Sequence, residues 1–411
     1  MKRTLIALVG AGALSLTVAA CGSSDDEGGS TSAAAGTGTA AAATGGETVK
    51  VGYAAALSGF LAPYDTPFYN ALKIAVADKN AEGGLAGRYR IELDVKDVKS
   101  EIPVAAQVAQ ELVDDGAQLL ITPCDADPSV AAGQPAQTAQ VPAISGCAGS
   151  PRLPASVGDY MFQNVFAINS QVVPLAEYAV RDEGYRTAFL LYSPDTRYTN
   201  DGPIHFGEVF SALGGEVVGR ETYKFQGQEF GAQIAKIRAA RPDVIMTSAY
   251  DPDLSAFLKQ LRAAGVDTPV FGTDGADAPS LLRSAGAAAN GLVFATHGMP
   301  VPEEPEVEAF AAEYREKTGN APESAFVYAA PDLVAVLDAA VRSAGSLDGP
   351  ALRDALDSLR AVRGTTGEIT FAGMERSPLK PVTLVRVEDD RFVFVDQRIP
   401  EPELIPAPVE G

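Results

Sequence analysis

From Val49 onward the apolar positions follow two rhythms that take turns. The run V-K-V-G-Y-A-A-A-L at 49–57 is short, apolar and bounded by turn residues, and predicts a strand. The next stretch, T-P-F-Y-N-A-L-K-I-A-V-A-D-K-N-A-E-G-G, places Leu72, Ala75 and Val76 on one helical face. Thr66 suits its N-cap, Pro67 its first turn and Gly83 its stop. Strand 89–97, helix 103–115, strand 118–123, helix 128–140 and strand 142–146 follow. The alternation then restarts, with strands at 187–193, 216–223, 243–249, 269–274 and 292–298. Helices fit between them near 170–183, 202–213, 229–240 and 253–264. Three further helices, near 304–317, 324–343 and 350–360, precede strands at 367–371, 381–390 and 391–397, the end being hairpin-like. Two series of strands alternating with helices imply an α/β fold with two doubly wound, mainly parallel sheets.

The first 48 residues lack either rhythm. Lys2-Arg3, an apolar stretch from Leu5 to Ala20 and the small residues before Cys21 read as an export signal. The apolar stretch is short for a spanning helix of about 20 residues. V-A-A-C at 18–21 resembles the lipobox of bacterial lipoproteins, which implies cleavage after Ala20, lipidation of Cys21 and an extracytoplasmic protein anchored to the cell membrane. Residues 21–47 are Gly, Ala, Ser, Thr and acids, the composition of a flexible linker with a reach of about 25–30 Å. The Pro-rich end, 401–411, reads as a disordered tail.

Composition narrows the partners. The net charge is −21, more negative still once Lys2 and Arg3 leave with the signal, which excludes nucleic acid as a binding partner. With Cys21 lipidated, Cys124 and Cys147 remain, and an exported protein with two cysteines has one possible disulfide. The chain carries no nucleophile elbow, phosphate-binding loop or zinc spacing, so no cofactor, metal or catalytic group is expected. His205 and His297, the two histidines, read as surface or packing residues, with His297 at a crossover between lobes.

V-G-Y-A-A-A-L-S-G-F-L-A-P-Y-D, N-A-E-G-G-L-A-G-R-Y-R, P-A-I-S-G-C-A-G-S-P-R-L and G-T-T-G-E-I-T-F-A-G stand in this order across 49–396. Together they resemble the substrate-binding lipoproteins of branched-chain amino acid ABC importers, of the type I periplasmic-binding-protein fold. The resemblance implies a first lobe of 48–167 and 298–363, a second of 168–297 and 364–400, and a three-strand hinge between them. It also implies a ligand in the cleft between lobes, closure on it, and permease and ATPase partners. Two other functions stay open: a sensor domain of the same fold, or an importer receptor for amides or aromatic acids. A hydrolase is disfavoured, since no nucleophile–base pair is present.

The resemblance also assigns site residues. Tyr64 matches an aromatic wall of the ligand pocket. The turn Cys147-Ala148-Gly149-Ser150 matches one that offers a carbonyl to the ligand amine and a hydroxyl to its carboxylate. Here the carbonyl position falls on Cys147 and the hydroxyl position on Gly149, with Ser150 as substitute or as a plain helix cap. Tyr198 and Tyr250 match tyrosines that close over the ligand, and Asp274 an acid that binds an ammonium. That last role is chemically sensible without any relative, because a desolvated ammonium needs an opposite charge and tyrosine offers a hydroxyl and a π-face. Asp125 and Asp127 stand where relatives usually have serines, and Asp127 before Pro128 reads as an N-cap. Two acids there oppose a simple carboxylate cradle. Arg197 is either an exposed loop residue or a partner for a ligand carboxylate.

Overall fold

The computed structural model describes residues 46–278 and 280–408. The expected export signal, Cys21 with its expected lipidation, and most of the expected linker lie outside them. Among the described residues no helix is long and apolar enough to cross a membrane.

The first half runs β1 (Glu47–Ala55), α1 (Ala62–Ala81), β2 (Tyr89–Asp97), α2 (Ile102–Asp114), β3 (Leu119–Thr122), α3 (Ala126–Ala139), β4 (Ala143–Ser145), α4 (Leu153–Val157) and β5 (Met161–Gln163). The second runs α5 (Ile168–Glu177), extended by a π-helical turn at Tyr178–Asp182, then β6 (Thr187–Tyr192), α6 (Arg197–Ala212), β7 (Glu216–Thr222), α7 (Gly231–Ala240), β8 (Val244–Thr247), α8 (Asp253–Ala263), β9 (Val270–Gly272), α9 (Leu281–Ala285) and β10 (Val293–Thr296). The chain then forms α10 (Pro305–Thr318), α11 (Phe326–Ala344), α12 (Gly349–Ser358), the small hairpin β11 (Val362–Gly364) and β12 (Gly367–Ile369), and the long hairpin β13 (Val382–Glu388) and β14 (Arg391–Arg398).

Five strands in the order β2-β1-β3-β4-β5 make an all-parallel sheet. Seven in the order β14-β13-β10-β9-β8-β6-β7 make the second, parallel except where β13 and β14 join antiparallel at its edge. The mainly parallel, doubly wound α/β expectation holds. The helices form for the reason their periodicity states. In α2, Ala105, Val108, Ala109 and Leu112 are buried at i, i+3, i+4 and i+7, and in α8 Leu254, Phe257, Leu258 and Leu261 repeat that spacing.

The first sheet shares one core with α1, α11 and α12, and two further cores lie on the faces of the second sheet. The chain passes between the sheets three times, after β5, after β10 and before β13. Ile369 and Phe371 pack in the first core, and β13 of the second sheet begins at Val382. A fully buried ion pair guards that return: Lys380 Nζ lies 2.6 Å from Asp332 Oδ2 of α11, which also accepts the Thr366 hydroxyl at 2.5 Å.

Three local expectations change. Helix α1 begins at Ala62, so Pro63 takes the first-turn place expected of Pro67, and Tyr64 stands in the first turn. The N-cap of α3 is Asp125, whose carboxylate accepts the Asp127 amide at 3.1 Å, not Asp127. Residues 401–408 are packed rather than disordered: Leu404 and Ile405 lie against the second-sheet core, and Asn169 donates to the Pro406 carbonyl at 2.8 Å. Apolar side chains spaced among prolines hold that segment, and composition hid them.

Candidate functional site

Loops leaving the C-terminal ends of β3 and β4 face loops leaving β6, β8 and β9, and the two sets line one cavity. From the first lobe come Tyr64, Asp125 and the turn Cys147-Ala148-Gly149-Ser150; from the second come Tyr198, Tyr250 and Asp274. The nine residues expected to bind ligand therefore line this cavity. Its free volume is about 10 Å³, because tyrosine rings fill it.

The rings form a continuous wall. Tyr198 stacks on Tyr250 at 4.6 Å, and Tyr64 meets Tyr250 edge-on at 5.3 Å and Phe326 at 5.8 Å. Each stacked tyrosine holds a carboxylate. Tyr250 donates to Asp125 Oδ2 at 2.5 Å, across the cleft, and Tyr198 donates to Asp274 Oδ1 at 2.7 Å. The Tyr198 oxygen in turn accepts the Gly275 amide at 2.5 Å. A side chain at Gly275 would crowd that ring, since a Cβ would stand 2.8 Å from the tyrosine oxygen. Burial pushes the Asp125 carboxyl up to about 6 against the pull of the Tyr250 hydroxyl, and pushes both stacked phenols above their usual range.

The turn after β4 is shaped from below. The Ala148 carbonyl is turned into the protein, accepting Ser145 Oγ at 2.9 Å and Gln163 Nε2 at 2.8 Å. Gly149 approaches Phe166 so closely that a Cβ would meet its carbonyl oxygen at 2.8 Å, which is why no hydroxyl-bearing residue fits there. Ser150 does not cap α4; its hydroxyl is buried without a partner. Cys124 and Cys147 are bonded to each other, 4.5 Å apart at Cα, at the ends of paired strands β3 and β4. In the chain-entropy model such a loop closure contributes about 3 kcal/mol. Arg197 pairs with Asp127 across the cleft, joining the lobes at the cavity's edge rather than facing into it.

Four contributors escaped the sequence reading. Asp65, fully buried, accepts from Tyr53 at 2.9 Å and from the amides of Ala56 and Cys124 at 3.1 Å, tying three loops together. Burial raises its carboxyl to about 7. His297 is buried at the second crossover, stacked on Phe166 at 4.6 Å, with Nε2 3.0 Å from Asp274 Oδ2. Phe326, at the start of α11, closes the aromatic wall. Asp253 opens α8 at the mouth. None of the four has a local signature, because each acts through residues distant in the chain. His205 is a packing residue, fully buried beside Glu208.

Among the described residues no group of His, Cys, Asp and Glu is placed to hold a metal ion. The profile of the periplasmic binding protein family matches residues 48–391. The chain belongs to that family. As a periplasmic binding protein it is a solute-binding protein rather than an enzyme. It is similar to the Leu/Ile/Val-binding protein of Escherichia coli strain K12, 23% identical over 276 residues that cover 66% of this chain and 75% of that one. Among solved structures it resembles a leucine-binding protein from Thermotoga maritima, with a TM-score of 0.78 and 24% identity over 87% of this chain and 99% of that one. It also resembles a branched-chain amino acid transporter substrate-binding protein from Streptococcus pneumoniae in complex with isoleucine, with a TM-score of 0.76 and 26% identity over 87% and 100%.

Proposed function

We propose that this chain is the extracytoplasmic receptor of an ABC importer and that it binds a small amine-bearing solute, an amino acid or close relative, between its lobes. One observation carries this reading: Asp125 and Asp274 come from opposite lobes, are buried, and are each held by a tyrosine around one cavity. Buried carboxylates in such a place call for a cationic partner. Its relatives named as binding leucine, isoleucine or valine point to the same class.

The mechanism is hinge closure. A cavity of about 10 Å³ holds no more than a water, whereas small-molecule sites span about 300–1,000 Å³. The lobes must separate to admit a solute, and binding energy then draws them together over it. The first lobe comprises 48–167 and 298–363, together with 364–379, which shares its core; the second comprises 168–297 and the closing hairpin. The closed face is what a permease would receive. Small-angle scattering should show a smaller radius of gyration at saturating solute. An unchanged curve at full occupancy would remove the mechanism.

Membrane attachment through Cys21 belongs to the same reading and rests on V-A-A-C after a short apolar stretch. Labelled fatty acid should be incorporated by the native chain and lost in Cys21→Ser. Equal labelling of the two would refute the anchor.

A further inference from the structure

A second cavity of about 220 Å³ adjoins the first at the mouth of the cleft, and Tyr250 lines both. Its walls repeat the chemistry of the inner one. Phe60 and Phe225 meet edge-on across the lobes at 5.7 Å, and Phe225 reaches Tyr250 at 6.1 Å. Asp251 and Asp253 supply carboxylates. Asp251 is satisfied by the hydroxyls of Ser255 and Ser280. Asp253 is not. It is 1% exposed; Oδ2 accepts the Gln226 amide at 2.7 Å, and Oδ1 is buried with no partner. Burial raises its carboxyl, the Gln226 and Gln228 amides pull it down, and Asp251 pushes it up again.

Two features make this more than an acidic patch. An unpartnered, buried carboxylate oxygen is costly unless a donor or a cation meets it. Among the described residues, no lysine, arginine or histidine lines either cavity. His297 stands behind Asp274, and Arg197 on the cleft edge is committed to Asp127. The protein thus presents two pairs of carboxylates, one inner and one outer, with aromatic faces between them, and no lysine or arginine joins them. Aromatic faces and carboxylates are the groups that hold ammonium ions.

We propose that the ligand of this chain carries two cationic nitrogens on an aliphatic chain, one meeting Asp274 and Asp125 in the inner cavity and the other reaching Asp253 at the mouth. The inference rests on the receptor reading above and narrows its solute class. A branched-chain amino acid has one ammonium and an apolar side chain, and would leave Asp253 unpartnered. An aromatic acid would add a negative charge to four carboxylates. Two sources share the chemistry: a basic amino acid and a linear diamine. Ser150 separates them, because its buried, unpartnered hydroxyl at the inner cavity can donate to a ligand carboxylate, which only the amino acid has.

The test is calorimetry on the mature chain with lysine, ornithine, cadaverine and putrescine, against pentylamine, leucine and benzoate. At least one dication should bind about tenfold or more tighter than pentylamine and leucine, a gap of about 1.4 kcal/mol. Asp253→Asn should erase that gap, weakening the dication about tenfold more than pentylamine. Asp253 begins a helix, so Asp251→Asn, which weakens the same outer charge, is run beside it, with the melting temperature of each free protein as the folding control. Ser150→Ala should weaken lysine or ornithine and spare the diamines if the source is an amino acid. Leucine or benzoate binding more tightly than every dication would overturn the proposal, as would a gap that survives Asp253→Asn in a folded protein. Leucine binding with lobe closure would leave the receptor reading standing while removing this one. Failure of all four dications to bind also refutes it, and lobe closure judges the receptor reading separately.

Discussion

Replacing Lys380 with methionine is expected to lower the unfolding free energy by about 3–5 kcal/mol, the largest single effect on stability in this chain. Lys380 and Asp332 are both fully buried and 2.6 Å apart. Removing the cation leaves a carboxylate in the protein interior with only Thr366 as donor, through its hydroxyl at 2.5 Å and its amide at 3.2 Å. The consequence is local as well as global. Asp332 belongs to α11, Thr366 to the turn between β11 and β12, and Lys380 to the last passage into the second sheet. One carboxylate thus fastens the hinge to the first lobe. Adding Asp332→Asn to Lys380→Met should recover a large part of the loss, since asparagine still accepts from Thr366 and carries no unpaired charge. Denaturant titration of the three variants measures this. A loss under about 1 kcal/mol in the single variant would mean that water reaches the carboxylate and that the pair is not structural.

Asp274→Asn should cost the bound amine about 2–5 kcal/mol, roughly 30-fold to several thousand-fold in affinity. Asparagine is the informative change because Asp274 does more than carry charge. It accepts from Tyr198 at 2.7 Å and faces His297 Nε2 at 3.0 Å, so alanine would release the stacked tyrosine wall as well. With asparagine the shape persists and the charge goes. Calorimetry on wild type and variant, with an amine-bearing solute that binds the native chain, reads the difference. Equal affinity in the two would place the ammonium elsewhere and leave Asp274 as the support of Tyr198. The same measurement on Asp125→Asn tells whether the carboxylate on the opposite lobe shares the cation.

Much of this protein was legible before folding. A strand followed by an amphipathic helix is a local pattern, and most of the parallel strands, ten of the twelve helices among the described residues and the closing hairpin follow from it; the five-residue helices α4 and α9 and the three-residue strand β5 are too short to show a period. The nine expected ligand-site residues came mainly from the family resemblance, and they line one cavity because strand C-terminal ends are where parallel sheets present their loops. The errors sit where local signals compete. T-P-F-Y looks like the start of the first helix, but the chain starts it at A-P-Y-D. Asp127 before Pro128 looks like the cap, but Asp125, in extended backbone, takes the amide, and Asp127 is drawn to Arg197 instead.

What no sequence pattern could state is which charges meet. Asp125 and Tyr250 are 125 residues apart, Tyr64 and the Gly275 carbonyl 211, and Lys380 and Asp332 48. The amino-acid order decided that the elements would form, because backbone hydrogen bonding and apolar periodicity act over a few residues. The tertiary structure decided that four carboxylates would share one cleft without a lysine or arginine among them, because only packing two lobes face to face brings their loops within hydrogen-bonding range and shuts out the water that would otherwise screen them.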